Sequence, residues 1–141
     1  MEATRDNLGY LLAKASQRWN ELLYERFRAR GWGDVRPSYG SVLLPLFEED
    51  GLRMGELAQR ARISKQTMTT LVRLVERSGL VRRARDVEDG RAFRISLTPR
   101  GRRFQPVAEE VLAEVAALVH AQLPAADVEV AQRVLRGVMS L

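Results

Sequence analysis

The 141-residue chain carries 23 Lys+Arg against 18 Asp+Glu, a formal charge of +5, with 45% hydrophobic and 29% charged residues. Length and composition fit one globular domain with its own core and argue against disorder. With no Cys the sequence excludes disulfides, thiolate metal sites and thiol redox sensing, and a single His, His120, leaves almost nothing for a histidine metal site or a His-dependent triad.

Leu8, Leu11, Leu12, Ala15, Trp19, Leu22, Leu23 and Phe27 recur at three- and four-residue steps, which predicts one long amphipathic helix over residues 6–30. The stretch Gly31-Trp32-Gly33-Asp34-Val35-Arg36-Pro37 breaks it with turn chemistry. Ser38 is expected to cap a second helix carrying Val42, Leu43, Leu46 and Phe47, with Pro45 restricting its interior. A short helix over Gly55–Ala61 follows. After a tight connection at Arg62-Ile63, Ser64 caps a further helix running to about Ser78, where Gly79 supplies the stop. Two helices joined by so short a turn form a helix-turn-helix. Val81–Arg85 and Ala92–Leu97 then alternate around the turn-forming Asp86–Gly90, a two-stranded hairpin with a charged tip. Thr98-Pro99 restarts helix as cap and first helical residue, with Val107, Val111, Leu112, Val115, Leu118 and Val119 as its apolar stripe. A turn with Asp127 as cap leads into a last helix bearing Val130, Val134, Leu135 and Val138. The fold class is mainly α with a small β-hairpin.

The positive charge is not spread along this framework. Residues 53–103 hold 14 of the basic and 5 of the acidic residues, a local balance of +9 that leaves −4 for the remainder. A polyanion partner for that third of the chain is the simplest implication. No Gly-rich phosphate loop or nucleophile elbow is present, and the acidic runs Glu48-Glu49-Asp50 and Glu109-Glu110 read as solvated faces. No catalytic residue, metal site or cofactor is expected. MEATRDNLGY lacks the layout of a secretory signal and no apolar run approaches membrane-spanning length, so a cytoplasmic location is expected.

The element order, with Glu56-Leu57-Ala58, Ile63-Ser64-Lys65-Gln66-Thr67-Met68-Thr69, Leu71-Val72, Glu76-Arg77-Ser78-Gly79-Leu80-Val81, Asp89-Gly90-Arg91 and Leu97-Thr98-Pro99-Arg100-Gly101, resembles the MarR family of bacterial transcriptional regulators over essentially the whole chain. Two positions depart from the family pattern: Arg53 stands where a Ser or Thr would complete a capping box, and Arg62 where the turn often holds Gly. The resemblance implies a single winged helix-turn-helix domain over 1–141. Residues 36–103 would form the DNA-binding lobe, and 1–35 and 104–141 would supply dimerisation helices. It further implies a homodimeric DNA-binding regulator, most often a repressor.

With Met68, Leu71, Val72 and Val75 inward, Lys65, Gln66, Thr69, Thr70 and Arg73 face outward from the recognition helix that Ser64 caps. Gln pairs bidentately with adenine, Arg or Lys with guanine, and Thr presents a methyl to thymine or a hydroxyl to phosphate. Gln66, Thr70 and Arg73 are therefore the expected base readers, with Lys65 and Thr69 divided between bases and phosphate. Arg91 at the wing tip suits a narrow minor groove, and the resemblance implies the same role for it. Asp89 reads as a structural partner of a nearby Arg. Among Arg82, Arg83, Arg85 and Arg94, strand alternation turns about half away from DNA; Arg83 and Arg85 are the expected contacts.

The apolar stripes of the terminal helices call for a second copy, which would set two recognition helices about one DNA turn apart over an inverted repeat. The resemblance also implies release by a small aromatic or phenolic ligand, for which Tyr10, Arg18, Trp19, Trp32 and Tyr39, with Arg36, lie on or near the appropriate helices. Aromatics at helical spacing also serve as core, so both roles stand for these residues. Two other functions compete: a winged-helix module whose basic face meets an acidic protein, and an enzyme, which the lone His and missing catalytic spacings disfavour.

Overall fold

In the computed structural model, which describes residues 2–141, Asn7 accepts the Tyr10 amide at 2.9 Å and so caps helix α1, Leu8–Ala29. Then come α2 (Gly40–Glu48), β1 (Leu52–Arg53), α3 (Met54–Ala61), α4 (Lys65–Arg77), β2 (Val81–Arg85), β3 (Phe93–Leu97), α5 (Pro99–Gln122) and α6 (Ala125–Met139). The fold is mainly helical with a small antiparallel wing, as the patterning predicts.

Three local expectations need correction. Ser38 does not cap α2; Pro37–Tyr39 form a 3-10 turn leading into Gly40, with no side-chain cap bond. Asp127 is not the cap of α6; the helix starts at Ala125 after Pro124, and Asp127 lies in its first turn, where a carboxylate suits the helix dipole. The wing is not two-stranded. Leu52 and Arg53 pair with Ile95 and Arg94, so the sheet has the order β1-β3-β2. A two-residue strand has no periodicity to detect in sequence, yet it buries Leu52 almost completely.

Caps and turns otherwise follow local chemistry. Ser64 accepts the Thr67 amide at 3.1 Å, Thr98 accepts the Gly101 amide at 3.1 Å, and Gly79 takes φ +75° just beyond α4. Glu56 accepts the Arg53 amide at 3.2 Å, which is half of a capping box. Arg53 cannot supply the other half, because a guanidinium has no acceptor. Arg62, at the helix-turn-helix corner, is the only non-glycine with positive φ among the described residues, at 57°. Its guanidinium donates to the Met139 carbonyl at 2.7 Å, tying the end of α6 to that corner.

Leu46, Leu57, Met68, Val72, Val75, Leu80 and Ile95 form a buried centre shared by α2, α3, α4 and the sheet. Phe27, Trp32 and Phe104 extend it to α1 and α5, with ring centroids 5.1 Å apart in both pairs that Phe104 makes. Arg100 stacks on Trp32 at 4.8 Å and donates to Asp34 and to the Ser78 carbonyl, joining the start of α5 to the end of α4. By contrast α6 has no buried residue, and Leu8, Leu11, Leu118, Leu123, Val130, Val134, Leu135 and Val138 remain exposed. No single helix among the described residues is long and apolar enough to cross a membrane.

A candidate nucleic-acid interface

Met68, Val72 and Val75 are fully buried, which fixes the roll of α4 and leaves Lys65, Gln66, Thr70 and Arg73 exposed, with Thr69 half-buried. The cap limits what Ser64 itself can offer, since its hydroxyl also donates to Thr67 Oγ1 at 2.8 Å. Thr69 and Thr70 donate their hydroxyl protons to the Lys65 and Gln66 carbonyls at 2.8 and 3.2 Å. Each keeps its methyl group and lone pairs for a ligand, but no free donor for a phosphate oxygen.

The wing faces this helix across a cleft. Lys65, Thr69 and Arg73 line one wall; Arg83, Arg91 and Phe93 line the other, with Arg53–Glu56 at its end. The strand register explains which wing arginines share the face of the ladder turned toward it, of which Arg83 lines the cleft and Arg85 lies beyond it. Arg83 and Arg85 sit opposite Ile95 and Phe93 on one face of the ladder, whereas Arg82 and Ala84 sit opposite Ser96 and Arg94 on the other. Arg94 is thereby turned away from the cleft, donating to Asp86 and to the Gly51 carbonyl at 2.7 Å. Arg83 is held by Glu76 of α4 at 3.2 Å, and Arg85 donates to the Gly90 carbonyl at 2.6 Å.

At the tip, Asp89 accepts the Arg91 backbone amide at 3.0 Å, so it shapes the turn rather than gripping a guanidinium. The Arg91 guanidinium has no partner among the described residues and is free for a ligand. The carboxylate that does grip arginines is Asp86, which the sequence reading missed. It is buried, accepts Arg53 Nε at 2.7 Å and Arg94 Nε at 3.1 Å, and also takes the Glu88 amide at 2.9 Å. The available signal was its position one residue past a strand, beside an Arg53 that could not cap.

The Glu88 amide, opposed by desolvation and aided by Arg53 and then Arg94, holds the Asp86 carboxyl below its ordinary value of 3.8. A depressed folded pKa contributes stability above the unfolded value and loses it as pH falls through the folded one. Urea denaturation should therefore show a constant advantage of wild type over Asp86→Asn at neutral pH. That advantage should shrink below about pH 4; an advantage that persists unchanged into acid would refute the clamp.

A separate cavity of about 270 Å³ opens between α1, α2 and α5, lined by Trp19, Leu23, Phe27, Val35, Leu43, Phe47, Phe104 and Leu112, with Asn20, Arg36 and Ser41 as polar groups. Of the expected ligand residues only Trp19, with Arg36, lines it. Tyr10 lies exposed on α1, Arg18 is exposed and paired with Glu21, Trp32 is covered by Arg100, and Tyr39 is core. Tyr10 and Trp19 lie on α1, Trp32 in the loop after it and Tyr39 in the 3-10 turn, and helical spacing could not say which of them packs as core. Among the described residues no group of three His, Asp or Glu is placed to hold a metal ion.

A buried-core helix-turn-helix with a basic recognition face and a cationic wing defines a winged-helix DNA-binding protein. A profile of the MarR family matches residues 34–92, from the loop before α2 to the wing tip. The HTH-type transcriptional repressor Rv2887 of Mycobacterium tuberculosis is 37% identical over 104 residues, covering 64% of this chain and 75% of that protein. The HTH-type transcriptional regulator TtmR of Methylorubrum extorquens is 48% identical over 61 residues, 43% of this chain but only 31% of TtmR. In fold, the chain is similar to the PcaV regulator of Streptomyces coelicolor in complex with its natural ligand, with TM-score 0.82 and 24% identity, covering 99% and 98% of the two chains. The chain belongs to the MarR family of transcriptional regulators.

Proposed function

We propose that the chain acts as a homodimeric repressor. Residues 36–103 would form its DNA lobe, and 1–35 and 104–141 its dimer helices. Gln66, Thr70 and Arg73 read major-groove bases, Lys65 serves bases or phosphate, Thr69 offers its methyl group to a base, Arg83 and Arg85 face the backbone, and Arg91 enters the minor groove, while Ser64 sets the start of the reading helix. The observation that carries this is the cleft itself, where α4 and the wing converge Lys65, Arg73, Arg83 and Arg91 while Asp86 holds Arg94 away from it. The uncovered apolar face of α1, α5 and α6 supports a second copy, which sets the two α4 helices over an inverted repeat.

The cavity supports ligand control. It is largely apolar, and Arg36, stacked on Tyr24 at 4.9 Å, supplies a cation at its edge, which suits a small aromatic carboxylate. Because α1, α2 and α5 all wall it, an occupant that spreads them would alter the spacing of the two α4 helices. Selection of bound duplexes from a random library should return a two-fold symmetric consensus. Aromatic carboxylates should then release that DNA, and Leu43→Trp, which fills the cavity, should abolish release while sparing DNA binding. An asymmetric consensus would refute the dimer reading, and a panel without effect would refute the ligand reading.

A further inference from the structure

An exposed phenylalanine stands in the cationic cleft, where neither core packing nor charge accounts for it. Phe93 is 39% exposed and lies outside the buried cluster, yet it forms part of the wall facing Lys65 and Arg73. It sits directly opposite Arg85 in the β2–β3 ladder. The guanidinium carbons of Arg83 and Arg85 lie 5.8 and 5.5 Å from its ring centroid, within range of attraction to the ring quadrupole.

Two guanidiniums on one ring repel each other, so their arrangement needs restraint. Glu76 fixes Arg83 through Nε, and the Gly90 carbonyl fixes Arg85 through Nη1. Both terminal nitrogens of Arg83, and Nη2 of Arg85, have no protein partner among the described residues. Anchored at one nitrogen and packed on a ring, each side chain presents its remaining donors outward with little rotamer freedom left to lose.

We propose that Phe93 is a positioning residue for DNA binding: its ring holds Arg83 and Arg85 side by side so that both meet phosphates of a strand lying between α4 and the wing. This rests on the reading that the cleft receives DNA. The π face is essential to the role, because an aliphatic side chain of similar size would fill the same space without attracting either cation. Tyrosine keeps that face.

The test uses the full chain and a fluorescent mixed-sequence duplex of roughly 30 base pairs, titrated between about 50 and 200 mM salt. Phe93→Leu should weaken binding about three- to tenfold at the low-salt end and make the log–log salt slope shallower by about one. Phe93→Tyr should keep both the affinity and the slope. In an Arg83→Gln/Arg85→Gln background, Phe93→Leu should add nothing. A leucine variant with wild-type affinity and slope overturns the proposal, as does a tyrosine variant as weak as leucine. Weaker binding with an unchanged slope overturns it too, since the ring would then be touching sugar rather than placing cations. If wild type itself shows no salt-dependent binding, the cleft is not the DNA face and the underlying reading fails first.

Discussion

Gly101→Ala is expected to cost at least about 3 kcal/mol of stability, the upper end of overpacking penalties. At fixed protomer concentration, that corresponds to a melting temperature lower by about 10 °C. Gly101 lies in the first turn of α5, and a Cβ there would stand 2.1 Å from the Leu80 carbonyl oxygen and 3.3 Å from Leu97 Cδ2. The carbonyl has nowhere to go. It accepts the Thr98 amide at 3.0 Å, its own residue is fully buried, and the preceding Gly79 carbonyl accepts the Thr98 hydroxyl at 2.5 Å. A methyl group must therefore lift the start of α5 from the start of β2 and break the Thr98 cap. Gly55→Ala is the control: its Cβ would meet open space, so its effect should stay within about 1 kcal/mol. Thermal melts of both variants decide the matter; a Gly101→Ala protein as stable as the control would show that α5 docks differently.

Arg73→Ala and Gln66→Ala should each cost roughly 1–3 kcal/mol, and only at particular base pairs of the selected site. Arg91→Ala should instead weaken binding to all sequences and reduce the salt slope by about one. Gln66 and Arg73 are seven residues apart on one face of α4, about 10 Å along its axis. That span is about three base-pair steps, so the two substitutions should register at different positions of the site. Both are exposed, and a Thr70→Val variant placed between them tests the hydroxyl. Because that hydroxyl already serves the Gln66 carbonyl, valine should keep whatever the threonine methyl contributes. Binding to a panel of single-substitution sites separates these effects. Uniform losses from Gln66→Ala and Arg73→Ala would show that α4 contacts the backbone alone.

Much of the helical framework was legible because its signals are local. Ser64, Thr98 and Gly79 act through bonds within a few residues of themselves, and Met68, Val72 and Val75 face inward by helical period alone. The resemblance also pointed to Gly101 within Leu-Thr-x-x-Gly, although the reason, a carbonyl 21 positions away in the chain, appears only in three dimensions. The candidate DNA residues were legible for the same reason as α4 itself: once the buried face is known, the opposite face follows.

What escaped sequence reading depends on distant partners. Leu52 and Arg53 become a strand because β3 has an open edge beside them, not because two residues carry a β signal. Ser38 and Asp127 looked like caps, but the 3-10 turn and the Pro124 start displaced the helix ends. Asp86 becomes a clamp when Arg53 and Arg94 arrive from elements 33 and 8 residues away. Among the aromatics, whether Trp19 walls a cavity while Trp32 and Tyr39 fill the core depends on how α1, α2 and α5 meet.

The sequence alone determined the main helices, the caps at Ser64 and Thr98, the roll of the recognition helix and the concentration of +9 in residues 53–103, since these follow from period, turn chemistry and residue counts. Only the tertiary structure decided which of those cations are available. Arg53 and Arg94 are committed to Asp86, Arg60 to Glu49 and Arg100 to Asp34, while Lys65, Arg73 and Arg91 converge on the cleft. Charge is a property of composition, but its availability depends on distance and burial, because a guanidinium reaches a phosphate only where the fold leaves some of its donors facing outward.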